Sequence, residues 1–157
     1  YRAWNAGVLE APTQLVCLMN SDMWPAAGWL YELGWVKRNR EKVLPTSLLI
    51  ESGRIPSAMP EHVANFGLTP DTFDAAGFAA CTAGTVKPGA IEAGRLYMPL
   101  LVDRQEFLDM GGYPEGNPPG TTGDKALVAK YAEQGFRHVT ALGSVVYHAQ
   151  EGEMRWP

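Results

Sequence analysis

Three observations predict an α/β fold, a sheet with helices packed on it. Short, continuously apolar runs recur at residues 15–19, 43–50, 96–102 and 139–147, the pattern of buried strands. Segments with helical spacing of apolar residues alternate with them, at 25–38, 104–110 and 122–134. At 157 residues, 46% hydrophobic and 19% charged, the chain suits one ordinary core and is too short for two, so residues 1–157 are expected to form a single domain.

In chain order, residues 2–9 read as the end of a helix. The run 15–19 is bounded by Pro12 and by Asn20-Ser21-Asp22, which sets Asp22 at a strand's carboxyl end. Pro25 stands at the favoured first position of a helix on which Trp29, Leu33 and Val36 share a face, running to about Arg38. In 43–50, Pro45 predicts an edge strand, or one that starts after the proline. Residues 51–87 are loop-rich, with a helix opening near Pro70 and Asp71. The run 96–102 precedes a short helix, 104–110, stopped by Gly111-Gly112, and residues 114–122 hold three prolines, a loop without regular structure. From Thr122 a helix presents Leu127, Val128, Tyr131 and Ala132 on one face, has Asp124 in its first turn and stops at Gly135. Two strand segments around Gly143 then deliver His148.

Charge and length exclude several classes. Lys and Arg number 13 against 17 Asp and Glu, a net charge of −4 with no basic block to track a phosphate backbone, so no nucleic acid partner is expected. The longest apolar runs fall far short of the ~20 residues of a membrane-spanning helix. Cys17 and Cys81 have neither metal-knuckle spacing nor disulfide-scaffold density, and reduced thiols in a cytoplasmic protein are expected.

Few residues can carry chemistry. Asp22 is where an α/β sheet places ligands, and one carboxylate there can anchor a hard divalent cation with substrate phosphates; spacing alone favours a solvated turn with Asp22 capping the next helix. Asp124, on a helix end beside a loop, can act as a general base or serve as a favourable first-turn charge. His148 can ligate a metal or simply end a strand. Trp24 is placed to stack on a pyranose face, although tryptophans as readily pack a core.

The order of five segments adds to this: W-N-A-G-V-L-E-A-P-T, V-C-L-M-N-S-D, F-L-D-M-G-G-Y-P-E-G, G-D-K-A-L-V-A-K-Y-A-E-Q-G-F and V-V-Y-H. That succession resembles the family 2 glycosyltransferases of the GT-A fold. The resemblance implies a Rossmann-like three-layer sandwich with a mixed, mostly parallel sheet. It also implies inverting transfer of a sugar from a nucleotide-diphospho-sugar donor to a hydroxyl of a saccharide, lipid or protein acceptor, with Mn²⁺ or Mg²⁺ as cofactor. Asp22 matches the last Asp of the D-x-D motif, and Asn20 replaces the first. Asn5, Asn20, Ser21 and Asp22 are then donor-side, and Asp22 and His148 hold the metal. Asp124 is the base, with Gly123 where a Glu is usual. Gly111, Gly112, Tyr113 and Glu115, with Trp24, line the acceptor cleft.

The family's base-binding strands precede the stretch that Asn5 matches, and the chain starts without an initiator Met. The sequence is therefore expected to be the metal- and acceptor-binding C-terminal part of such a domain, binding nucleotide weakly on its own and, through an exposed sheet edge, prone to form an oligomer. Two rivals are a non-catalytic sugar- or protein-binding relic of the same fold and a nucleotidyltransferase.

Overall fold

The computed structural model describes residues 1–114 and 122–151. The elements run α1 (Arg2–Glu10), β1 (Leu15–Leu18), β2 (Met23–Pro25), α2 (Trp29–Asn39), β3 (Val43–Glu51), α3 (Ala75–Thr85), β4 (Ile91–Ala93), β5 (Leu100–Asp103), α4 (Arg104–Asp109), α5 (Thr122–Glu133) and β6 (Arg137–His148). The class is mixed α/β: six strands form one sheet in the order β1-β5-β3-β6-β2, and β4 pairs with β6 beside β2.

The expectation of a mostly parallel sheet is corrected. Only β3 and β6 pair in parallel among the described strands; β1 with β5, β5 with β3, and β6 with both β2 and β4 are antiparallel. The cause is β5, which returns from the long 52–99 excursion reversed and inserts between β1 and β3. Since β1 and β3 each run opposite to β5, they run alike. The carboxyl ends of β1, β3 and β6 thus share one edge of the sheet, even though two of those strands never touch.

Two local expectations also change. Pro25 ends β2, an edge strand where a missing N–H costs little, and the helix starts later, after Gly28 turns the chain at φ 77°. Pro45 lies inside a nine-residue strand buried along its whole length. Ser47 donates its N–H to the Pro99 carbonyl on the β5 side. Residues two apart in a strand point their N–H groups alike, so the missing donor of Pro45 also faces β5, whose ladder with β3 is only one register pair, Thr46 with Leu100. The helix expected near Pro70 arrives as a 3₁₀ turn, Pro70–Thr72, followed by α3.

Apolar clusters show which face each helix covers. Val8, Phe107, Leu127 and Tyr131 from α1, α4 and α5 pack with Leu44, Leu49 and Val146. Leu33 and Val36 of α2 pack with Val43 and Val139, and Phe78 of α3 packs with Leu48, Ile50, Val145 and Tyr147. Neighbours such as Leu44 and Val43, or Val146 and Val145, fall in different clusters, as alternation across a sheet requires. In the β3–β6 ladder, partners jump from Ala141 to Val145 while β3 advances from Ser47 to Leu48. That irregularity moves β3's inward set from one parity to the other, as a bulge does.

Tyr147 is the pillar of the second face. Fully buried, it is ringed by Trp24, Phe66, Phe73 and Phe78, and its hydroxyl donates to the Gly67 carbonyl at 2.6 Å and accepts from the Phe66 N–H at 3.2 Å. Tyr147→Ala is expected to cost about 3–5 kcal/mol, the usual range for truncating a buried aromatic, and Tyr147→Phe about 1–3 kcal/mol for stranding its two backbone partners. Urea unfolding of both variants checks the two figures and their order.

Candidate active site

Three chain segments meet where β1, β3 and β6 end. After Leu18, residues 19–22 turn the chain into β2, whose first residue, Met23, lies opposite His148. The Asp22 carbonyl accepts the Ala149 N–H at 3.1 Å, and the His148 carbonyl accepts the Ser52 N–H at 3.0 Å. Glu51 and His148 are register partners at the end of the parallel ladder. These backbone bonds fix two carboxylates around one imidazole. His148 Nε2 lies 3.5 Å from Asp22 Oδ2, and Nδ1 lies 3.2 Å from Glu51 Oε1.

All three groups are buried or nearly so, with the Asp22 side chain 12% exposed and Glu51 7%. Burial alone would make His148 less basic; the hydrogen bonds and charges of Asp22 and Glu51 outweigh it and push its pKa up to about 9. Burial likewise opposes ionisation of Glu51, but hydrogen bonds from His148, Ser57 and Gln150 prevail and hold its acid below the ordinary range. At neutral pH the cluster is one imidazolium between two carboxylates, a net charge of −1 that favours a cation.

Asp22 does not cap α2, whose N-cap is Gly28 without a side-chain bond, so the capping reading of Asp22 is withdrawn. Asn20 is half-buried and Ser21 exposed on the same turn. Among the described residues, no three His, Cys, Asp or Glu side chains are arranged to hold a metal ion. Asp22 and Glu51 occupy opposite nitrogens of His148, so on the Asp22 side the protein offers a carboxylate and, once a cation displaces the Nε2 proton, an imidazole nitrogen. These two suit Mn²⁺ or Mg²⁺, which take carboxylate and substrate phosphate oxygens together, with imidazole more congenial to Mn²⁺.

Asp124 lies in the same layer of the fold. Glu51 and His148 each stand two residues beyond Leu49 and Val146, so they project from the face that carries Leu127 of α5 and Tyr113. Burial raises the Asp124 pKa, partly offset by the Tyr113 hydroxyl lying against it. Tyr113 is 1% exposed, and burial followed by the Asp124 charge keeps its hydroxyl protonated. Tyr1 stacks on Tyr113 with ring centroids 4.8 Å apart and lies across Gly123, where a Cβ would come within 2.0 Å of the Tyr1 ring. Gly123, the position where the resemblance leads one to expect Glu, cannot carry a side chain here without moving Tyr1.

The remaining expected residues divide. Gly111 and Gly112 line a groove of about 420 Å³ between α1 and α4, with Asn5 and Phe107 on its walls. Asn5, expected on the donor side, gives its carboxamide to the backbone of Tyr113: Nδ2 donates to the carbonyl and Oδ1 accepts the N–H. Its visible work is to hold the turn at Gly112 and Tyr113. Trp24 is relocated: it is opposite Tyr147 in register, stacks on Phe73 at 5.1 Å, and so faces away from Asp22 and His148. Glu115, and most of the 114–122 loop, lie outside the described residues.

Gly112 has φ 59°, and a Cβ there would meet Asn5 Oδ1 at 2.5 Å. Gly112→Ala is expected to destabilise by about 1–3 kcal/mol through left-handed backbone strain and loss of the Asn5 clamp, read as a lowered urea midpoint.

Compared with known proteins, the chain matches no family model and no curated relative. Among the described residues no helix is long and apolar enough to cross a membrane.

Glu51 escaped the sequence reading. Its only local signal is a carboxylate closing an apolar run, as His148 closes another; its partner is 97 residues away.

Proposed function

We propose that the chain is the metal- and acceptor-binding part of an inverting, GT-A-like glycosyltransferase, acting on a nucleotide-diphospho-sugar and an acceptor hydroxyl. The observation that carries the reading is the meeting of Asp22 with His148, from two different strand ends, at the edge shared by β1, β3 and β6. Carboxyl ends of strands in α/β sheets are where ligands bind, and the cluster's net negative charge suits a divalent cation.

Asp22 and His148 would hold Mn²⁺ or Mg²⁺, which supplies Lewis-acid stabilisation of charge on the departing diphosphate. Asp124 takes the proton of the acceptor hydroxyl as its oxygen bonds to the anomeric carbon and the bond from that carbon to the diphosphate oxygen breaks. A carboxyl group made less acidic by burial is closer to the basicity that proton abstraction at neutral pH needs. The groove beside Gly111 and Gly112 adjoins the Tyr113 turn against Asp124, which suits an acceptor approach. In this reading the sheet belongs to a Rossmann-like sandwich.

The test is a panel of nucleotide sugars offered with Mn²⁺ and simple saccharide acceptors to the native polypeptide carrying this chain, reading released nucleoside diphosphate. Release dependent on both metal and acceptor is expected. Binding of nucleotide sugars without any turnover would favour the non-catalytic relic, and pyrophosphate release would favour a nucleotidyltransferase.

A further inference from the structure

Glu51 does not face the proposed metal point, yet it is built in with more care than a charge-balancing carboxylate needs. Its backbone is register partner to His148, and Ser52 donates to the His148 carbonyl at 3.0 Å. Behind it, Gln150, 1% exposed and held at φ 59°, gathers the Ser52 hydroxyl and the Gly53 and Ile55 N–H groups on its Oε1 at 3.1, 3.1 and 3.3 Å. Arg54 closes the same loop onto Glu151 at 2.6 Å. The loop after β3 is thus tied to the segment after β6, and Glu51 has little freedom to leave His148 Nδ1.

We propose that Glu51 is the positioning residue that holds the His148 ring through Nδ1 and so aims Nε2 at the point it shares with the Asp22 carboxylate. A ring nitrogen that donates to a fixed carboxylate leaves the other nitrogen as the ligand, better oriented and more electron-rich; such partners typically contribute about 10–100-fold to metal affinity. The inference rests on the reading of Asp22 and His148 as a metal pair.

The experiment is Mn²⁺ titration by calorimetry, with pulsed electron paramagnetic resonance of bound Mn²⁺, on the wild-type chain, Glu51→Gln and Glu51→Leu. In the wild type a ¹⁴N coupling from imidazole is expected. Glu51→Gln keeps the shape and an acceptor oxygen and should fold, as circular dichroism will verify; it should retain the coupling and bind about tenfold more weakly. Glu51→Leu removes the acceptor and should lose the coupling and about 100-fold in affinity. If Glu51→Gln binds Mn²⁺ as the wild type does, Glu51 is not a positioning residue, whether or not the leucine variant folds. If the wild type binds Mn²⁺ without a ¹⁴N coupling, or does not bind it, the metal role of His148 fails first and this inference with it.

Discussion

Asp124→Asn is expected to lower turnover by about 10²–10⁴-fold while leaving donor affinity close to wild type, because an amide cannot accept the acceptor's proton. The same substitution separates catalysis from structure. Burial raises the Asp124 pKa, so the folded state holds that proton more tightly than the unfolded chain. Its contribution therefore favours folding at low pH and declines as pH rises from the unfolded value through the folded one. At neutral pH the ionised carboxylate is a small cost, and Asn should leave stability unchanged or slightly raised. A structural first-turn charge would behave oppositely, with stability falling and rate intact. Turnover within a few-fold of wild type would move the base elsewhere. Asp103 is then a poor substitute, since its carboxylate already caps α4 through the Gln105 and Glu106 N–H groups.

Asp22→Ala should abolish Mn²⁺-dependent nucleotide binding and with it transfer. The metal's stabilisation of leaving-group charge is put at several kcal/mol in such enzymes, and each ~1.4 kcal/mol is tenfold in rate, so a loss of more than about 10²-fold is expected. The fold should survive. The bond from the Ala149 N–H goes to the backbone carbonyl of residue 22, and Glu51 still balances the charge on His148. Calorimetry showing unchanged Mn²⁺–nucleotide affinity would remove Asp22 from the site.

What could be read from the sequence was what neighbours in the chain decide. Apolar runs marked β1, β3 and β6, and the residues closing them, Asp22 and His148, were recognisable as strand-end groups. The helix ending before Gly111-Gly112 and the one starting at Thr122 were equally plain. Features set by distant partners were not. The reversed entry of β5 depends on how a 48-residue excursion closes, 52 through 99, and no local pattern encodes its direction. β2 is three residues long and includes a proline, too short to alternate visibly. Trp24 was assigned by its nearness to Asp22, but β2 begins only at Met23, opposite His148, and the next step sets Trp24 on the face of Tyr147. Asn5 and Glu51 were obscure for the same reason, since their partners lie 108 and 97 residues away.

The parallel ladder of β3 and β6 also sets a timetable. It joins Val43 to Arg137 at one end and Glu51 to His148 at the other, so it closes only when nearly the whole chain is present. Closing so long a loop costs entropy before any contact repays it, and folds dominated by such pairings form slowly. On the ribosome, α1, β1 and α2 emerge long before the strand that must lie beside β3. Until β6 arrives, the apolar length of β3 has no parallel partner, and the waiting chain is the form most in need of a chaperone. His148 is among the last described residues to be synthesised, so the cluster it completes cannot assemble before the ladder has closed.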